Sequence, residues 1–125
     1  MKLRIQGDSL RLRLTQKEVA QLREGGSIES RIHFASGSGL AYVLSSSVEA
    51  TEVAADFDAG VIRVVLPYSA MAQWADGNQV SIAGGGSGQP SLVLIEKDFQ
   101  CLHKPGEQDP DAYPNPLAEV SNSSR

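Results

Sequence analysis

The chain has 125 residues, 41% hydrophobic and 21% charged, with a formal net charge of −4 and a single cysteine. That length suits one folded core. The lone Cys101 rules out an internal disulfide framework. The net acidity argues against general nucleic-acid binding, which needs clustered Lys and Arg to displace counterions from phosphates. No apolar run approaches the roughly 18 residues of a membrane span, and the opening MKLRIQGDS lacks the apolar stretch of a secretory signal. A soluble, cytoplasmic protein without membrane contact is the expectation.

In chain order, Leu3/Ile5 and Leu10/Leu12/Leu14 alternate with Lys2/Arg4 and Arg11/Arg13, the period of strands with one buried face. Gly7-Asp8-Ser9 between them reads as a hairpin turn. Thr15 followed by Glu18 forms a capping-box pattern that starts a helix at Thr15, and Gly25-Gly26 ends it. A third strand, Ile28 to Phe34, a loop over Ala35 to Gly39 and a fourth strand over Leu40 to Leu44 follow. The same order then recurs. Strands are expected at Thr51 to Phe57 and Val61 to Leu66, a helix opening at Pro67, strands at Gln79 to Ala83 and Leu92 to Lys97, and a Gly84 to Pro90 connection.

A shift of 52 residues lays Leu10 to Gly25 on Ile62 to Gly77, matching Arg11 with Arg63, Leu14 with Leu66, Ala20 with Ala72 and Gln21 with Gln73. The same shift carries Ile28 onto Val80, Leu40 onto Leu92 and Val43 onto Ile95. Preserved order of strand, helix and turn signals reads as an internal duplication of a strand-strand-helix-strand-strand unit. The expected fold is α+β: about eight antiparallel strands in a curled sheet or half-barrel with two short helices. The folded domain spans residues 1–103, with units over about 1–50 and 51–100. Residues 104–125 form an acidic, proline-containing tail, disordered from about Leu117. Cys101, Leu102 and Tyr113 are the residues that could anchor its first part to the domain.

The opening KLRIQGDSLRLRLTQKEV, the segment EKDFQCL and the ending DAYPNP resemble an uncharacterised family of small bacterial proteins, a domain of unknown function. The resemblance covers most of the chain. It implies that Leu10 to Thr15, Asp98, Cys101 and Tyr113-Pro114-Asn115-Pro116 belong to a shared pattern, and it carries no activity, substrate or cofactor.

Charge is unevenly placed: seven basic against four acidic residues through position 35, and four against eleven thereafter. The outward strand positions Lys2, Arg4, Arg11, Arg13, Arg31 and His33, joined by Arg63, read as a basic stripe on one face. Arginine forks suit carboxylates and phosphates. A small anion, an acidic protein partner or the chain's own Glu107, Asp109 and Asp111 could cover them, while a merely solvated face is the plainer alternative. Self-association across sheet edges, into a homodimer for instance, fits the same reading.

Other chemistry is thinner. Cys101, His103 and Asp98 can be written as a nucleophile with its base, but in an extended segment Cys101 and His103 stand about 6–7 Å apart at the backbone. Buried structural cysteine is the stronger reading. Cys101, His103 and Asp109 could ligate a metal, although the spacing matches no closed zinc site. The Gly84-Gly85-Gly86-Ser87-Gly88 loop lacks the Lys-Ser/Thr of a phosphate loop and reads as a connection. Trp74, in the place of Leu22, reads as a core anchor. No catalytic residue and no cofactor is assigned. The expectation is a small non-enzymatic binding module with an anion-binding face of Arg4, Arg11, Arg13, Arg31, His33 and Arg63. A small enzyme or a metal or redox sensor using Cys101 and His103 is the alternative.

Overall fold

The first two strands join through the shortest of turns because Gly7 takes a φ of +55° at the first central position, which glycine adopts without penalty. They are β1 (Lys2–Gln6) and β2 (Ser9–Leu14), and Ser9 Oγ donates to Gln6 O at 2.7 Å to close the turn. Helix α1 (Gln16–Arg23) starts at Thr15 with a complete capping box: the Thr15 hydroxyl accepts from Glu18 N, and the Glu18 carboxylate accepts from Thr15 N at 2.9 Å. β3 (Ile28–His33) and β4 (Gly39–Ser47) follow, then β5 (Ala54–Asp58), β6 (Val61–Pro67), α2 (Tyr68–Asp76), β7 (Ser81–Gly84) and β8 (Leu92–Lys97). Pro67 is the N-cap of α2, in extended conformation, as its fixed φ favours. The computed structural model describes residues 1–84, 91–99 and 113.

The strands form two open four-stranded sheets, ordered β1-β2-β8-β7 and β3-β4-β6-β5. This corrects the expectation of one antiparallel, curled sheet. Each sheet is mixed: the outer pairs are antiparallel hairpins, whereas the central pairs β2/β8 and β4/β6 are parallel. The reason lies in the helices. Each one carries the chain from the first hairpin of its half into the other sheet, so the hairpins of one half separate and pair with those of the other. Exchanging β1, β2, β3, β4 for β5, β6, β7, β8 turns one strand order into the other.

One apolar core joins both sheets and both helices. Leu12, Leu14, Val93 and Ile95 meet Leu44, Val64 and Leu66, with Leu22, Met71 and Trp74 fully buried among them. Trp74 is the core anchor expected, and its one polar side-chain atom, Nε1, donates to Val80 O at 3.0 Å. Lys97 lies over its ring, Nζ 5.7 Å from the centroid, and donates to Gly77 O. The constant shift holds through β2/β6 and the helices, where Leu12 matches Val64 and Leu22 matches Trp74 in burial. It fails beyond them. Ile28 and Ile82 take the buried edge positions, paired to Leu44 and Ile95, in place of the expected matches Ile28/Val80 and Val43/Ile95.

β5 begins at Ala54 instead of Thr51 because Val53 turns inward, 4% exposed, against Gly84 of β7. Val53 thus ties the link between the halves to the first sheet. Tyr113, one of the expected anchors, is 98% exposed. Cys101, Leu102 and the remaining tail, and residues 85–90 of the glycine-rich connection, lie outside the described residues. Among the described residues no helix is long and apolar enough to cross a membrane.

Candidate functional site

The β1–β2 hairpin builds the most strongly cationic surface among the described residues. Its register sets Lys2 opposite Arg13 and Arg4 opposite Arg11, so four cations occupy a two-by-two block on the side facing away from the core. Like charges directly opposite each other destabilise a ladder. Two carboxylates from β8 and its end offset part of that cost. Glu96, the register partner of Arg13, accepts from Arg13 Nε at 2.7 Å and lies 3.5 Å from Arg11 Nε. Asp98 stands 3.2 Å from Lys2 Nζ. Arg4 makes no ion pair among the described residues. A shallow hollow of about 160 Å³, lined by Lys2, Leu3, Arg4, Arg11 and Arg13, marks the centre of this block.

The expected single stripe of seven cations is therefore split. Arg31, His33 and Arg63 belong to β3 and β6 of the other sheet. There Arg31 lies 4.0 Å from Glu29, Arg63 stands directly opposite Asp56 in the ladder, and Asp58 follows on the same edge strand. Acids outnumber the arginines on the strands of that sheet, and among the described residues excess positive charge gathers at Lys2, Arg4, Arg11 and Arg13. Alternation predicted correctly that all seven point away from the core, but it is blind to which sheet a strand joins.

A larger groove of about 950 Å³ is lined along α1 by Gln16, Val19, Ala20 and Arg23, and at the end of α2 by Ala75, Asp76 and Gly77. Arg23 lines it: Nε donates to both Asp76 carboxylate oxygens at 3.1 Å, and Nη1 donates to the Tyr68 hydroxyl at 3.0 Å. These bonds hold the guanidinium's charge more firmly than usual, Asp76 acting first and Tyr68 second. The contact fastens α1 to α2. Sequence reasoning missed it, because neither the helix pattern nor the internal shift pairs Arg23 with Asp76. Glu18 is perturbed as well. Burial alone pushes its carboxyl up, but the N-terminal ammonium and the Thr15 backbone N–H and hydroxyl together hold it below the usual value.

Among the described residues no three His, Cys, Asp or Glu side chains gather in a group able to hold a metal. The metal and thiol candidates Cys101, His103 and Asp109 lie outside the described residues, as do Glu107 and Asp111.

A family model matches residues 1–117. The chain belongs to DUF7009, a family of unknown function. The DUF7009 match takes in both sheets, both helices and the EKDFQCL and DAYPNP segments on which the resemblance was read. No curated protein and no solved structure matches the chain.

Proposed function

We propose that this DUF7009 chain is a small non-enzymatic binding module that holds a phosphate or carboxylate group, on a small ligand or an acidic partner, against the outer face of the β1–β2 hairpin. The observation that carries the reading is the block of Lys2, Arg4, Arg11 and Arg13, in which, among the described residues, Glu96 and Asp98 pair with Lys2, Arg11 and Arg13, and Arg4 has no ion pair. An added anion would relieve the repulsion between Arg4 and Arg11, and two guanidinium forks offer it bidentate bonds. The two-stranded support fixes the backbone beneath the forks, so binding has to order only the side chains.

The reading extends to origin and setting. The two halves descend from one duplicated unit, supported by the interchangeable strand orders and the matched burial of β2/β6 and α1/α2. A bacterial, cytoplasmic setting is supported by the resemblance and by the single cysteine.

Isothermal titration with tripolyphosphate and with a glutamate-rich peptide tests the function. Binding should weaken as salt rises, since exposed charges are screened over about 8–10 Å at physiological ionic strength. Arg4→Ser with Arg11→Ser should lower affinity on the order of tenfold or more, while Arg31→Ser with Arg63→Ser, on the other sheet, should leave it unchanged. Equal losses in the two double variants, or flat titrations with both probes, would sink the reading.

A further inference from the structure

The two sheets end in edge strands that share one pattern of exposure and carry opposite charge. β1 borders one sheet and β5 the other. Each is five residues long, and in each only the second residue, Leu3 or Ala55, is sheltered. Ile5 and Phe57, inner-face residues near the end of each strand, are 59% and 63% exposed. The outer-face positions are Lys2, Arg4 and Gln6 on β1 against Ala54, Asp56 and Asp58 on β5. Beyond their own hairpins, neither strand makes a backbone hydrogen bond among the described residues. Asp56 and Asp58 make no ion pair among them either.

The other two edges differ. Val53 covers β7 at Gly84, and β3 opens on the buried Ile28 and carries both signs at Glu29 and Arg31. An open strand edge is a template for another chain, and natural proteins commonly protect it with charged side chains. Here the two open edges carry signs that repel like with like and admit like to unlike.

We propose that β1 of one molecule pairs antiparallel with β5 of a second copy, in the register that sets Lys2 opposite Asp58 and Arg4 opposite Asp56. That register puts Gln6 opposite Ala54 on the same outer side. On the inner side it brings Leu3 against Phe57 and Ile5 against Ala55, covering both exposed apolar side chains. A sheet of one copy then runs on into the opposite-type sheet of the next as a continuous ladder. The contact is heterologous, since the two surfaces differ, so a pair of copies still has one edge of each kind to offer. Self-pairing of two β1 strands, or of two β5 strands, sets like charges face to face and is disfavoured. The pairing shares Lys2 and Arg4 with the anion-binding face, yet it also requires Asp56 and Asp58 of the other sheet, so the two readings can fail separately.

Sedimentation equilibrium of the full chain over a wide concentration range, in low salt with reductant to exclude Cys101 disulfides, decides the matter. The wild type should associate reversibly. Arg4→Asp alone and Asp56→Arg alone should each weaken the dissociation constant on the order of tenfold or more, and the exchanged double variant Arg4→Asp/Asp56→Arg should restore it. Asp58→Arg, which lies away from Arg63, serves as a second β5 variant, with far-UV circular dichroism confirming that each protein is folded. A wild type that stays monomeric at millimolar concentration overturns the proposal. So does association that survives the single reversals, or a double variant no better than either parent. Anion titration of Asp56→Arg, which leaves the hairpin face intact, keeps a failure here distinct from a failure of the binding function.

Discussion

Replacing Gly84 with alanine measures how firmly the link between the halves is seated on the first sheet. A Cβ at that position would stand 2.3 Å from Val53 Cβ, 2.9 Å from Val53 Cγ1 and 3.1 Å from Val53 O. Non-bonded carbons settle at about 3.5–4.0 Å, so either β7 or the Val53 segment must shift by roughly 1 Å or more. No side-chain rotation helps, because Cβ does not move with χ1, and Val53 is 4% exposed with no free space to retreat into. Overpacking of this kind costs about 1–3 kcal/mol, and a clash between two Cβ atoms belongs near the upper end. With a urea m-value of about 1–3 kcal/mol/M for a chain this size, the unfolding midpoint should fall by about 1–2 M. The fluorescence of Trp74, the chain's one tryptophan and fully buried, reports the transition. Val53→Gly removes the obstructing atoms. Alone it should cost about 1.5–3 kcal/mol for the lost apolar burial, but in its background Gly84→Ala should cost less than about 1 kcal/mol, a coupling typical of residues in direct contact. Equal shifts in both backgrounds, or no shift in the first, would refute the packing argument.

Two further outcomes follow from local geometry. Ala59 holds a φ of +51° in the β5–β6 turn beside Gly60 at +78°; the left-handed conformation costs an L-residue about 1–2 kcal/mol and glycine's extra chain entropy returns about 0.5–1 of it, so Ala59→Gly should raise the unfolding free energy by about 0.5–1 kcal/mol in a urea titration. Glu18 has a lowered folded-state pKa, so its contribution is present above the unfolded value and disappears as pH falls through the folded one; the melting temperature of Glu18→Gln should lie below wild type at neutral pH and converge with it on acidification, and a gap that stays constant with pH would contradict this.

Local signals proved legible because local forces decide them. Thr15 and Glu18 are three residues apart, and their reciprocal bonds form within a single turn whatever the rest of the chain does. Pro67 at the start of α2 and Gly7 in the first hairpin act through their own backbone restrictions or freedom. The pairing of Leu22 and Trp74 as buried helix residues followed from their shared place in the recurring plan. The candidate site was half legible. Alternation identified Arg4, Arg11, Arg13, Arg31, His33 and Arg63 as pointing away from the core, but it assigned them to one face when they occupy two sheets.

By itself, then, the sequence determined the strands, the two helices and their caps, the inward and outward side of each strand, and the recurrence of one plan, since each depends on contacts or periodicities a few residues long. Only the tertiary structure decided which strands become neighbours. The pattern LRLRL in β2 is equally suited to a parallel or an antiparallel partner. The crossovers through α1 and α2 send the two hairpins of each half to different sheets, so that β2 meets β8 far along the chain, while β4 meets β6 by way of β5. That exchange separates the β1–β2 cations Lys2, Arg4, Arg11 and Arg13 from Arg31 and His33, which share the other sheet with Arg63, Asp56 and Asp58, and leaves a basic and an acidic edge on a single chain.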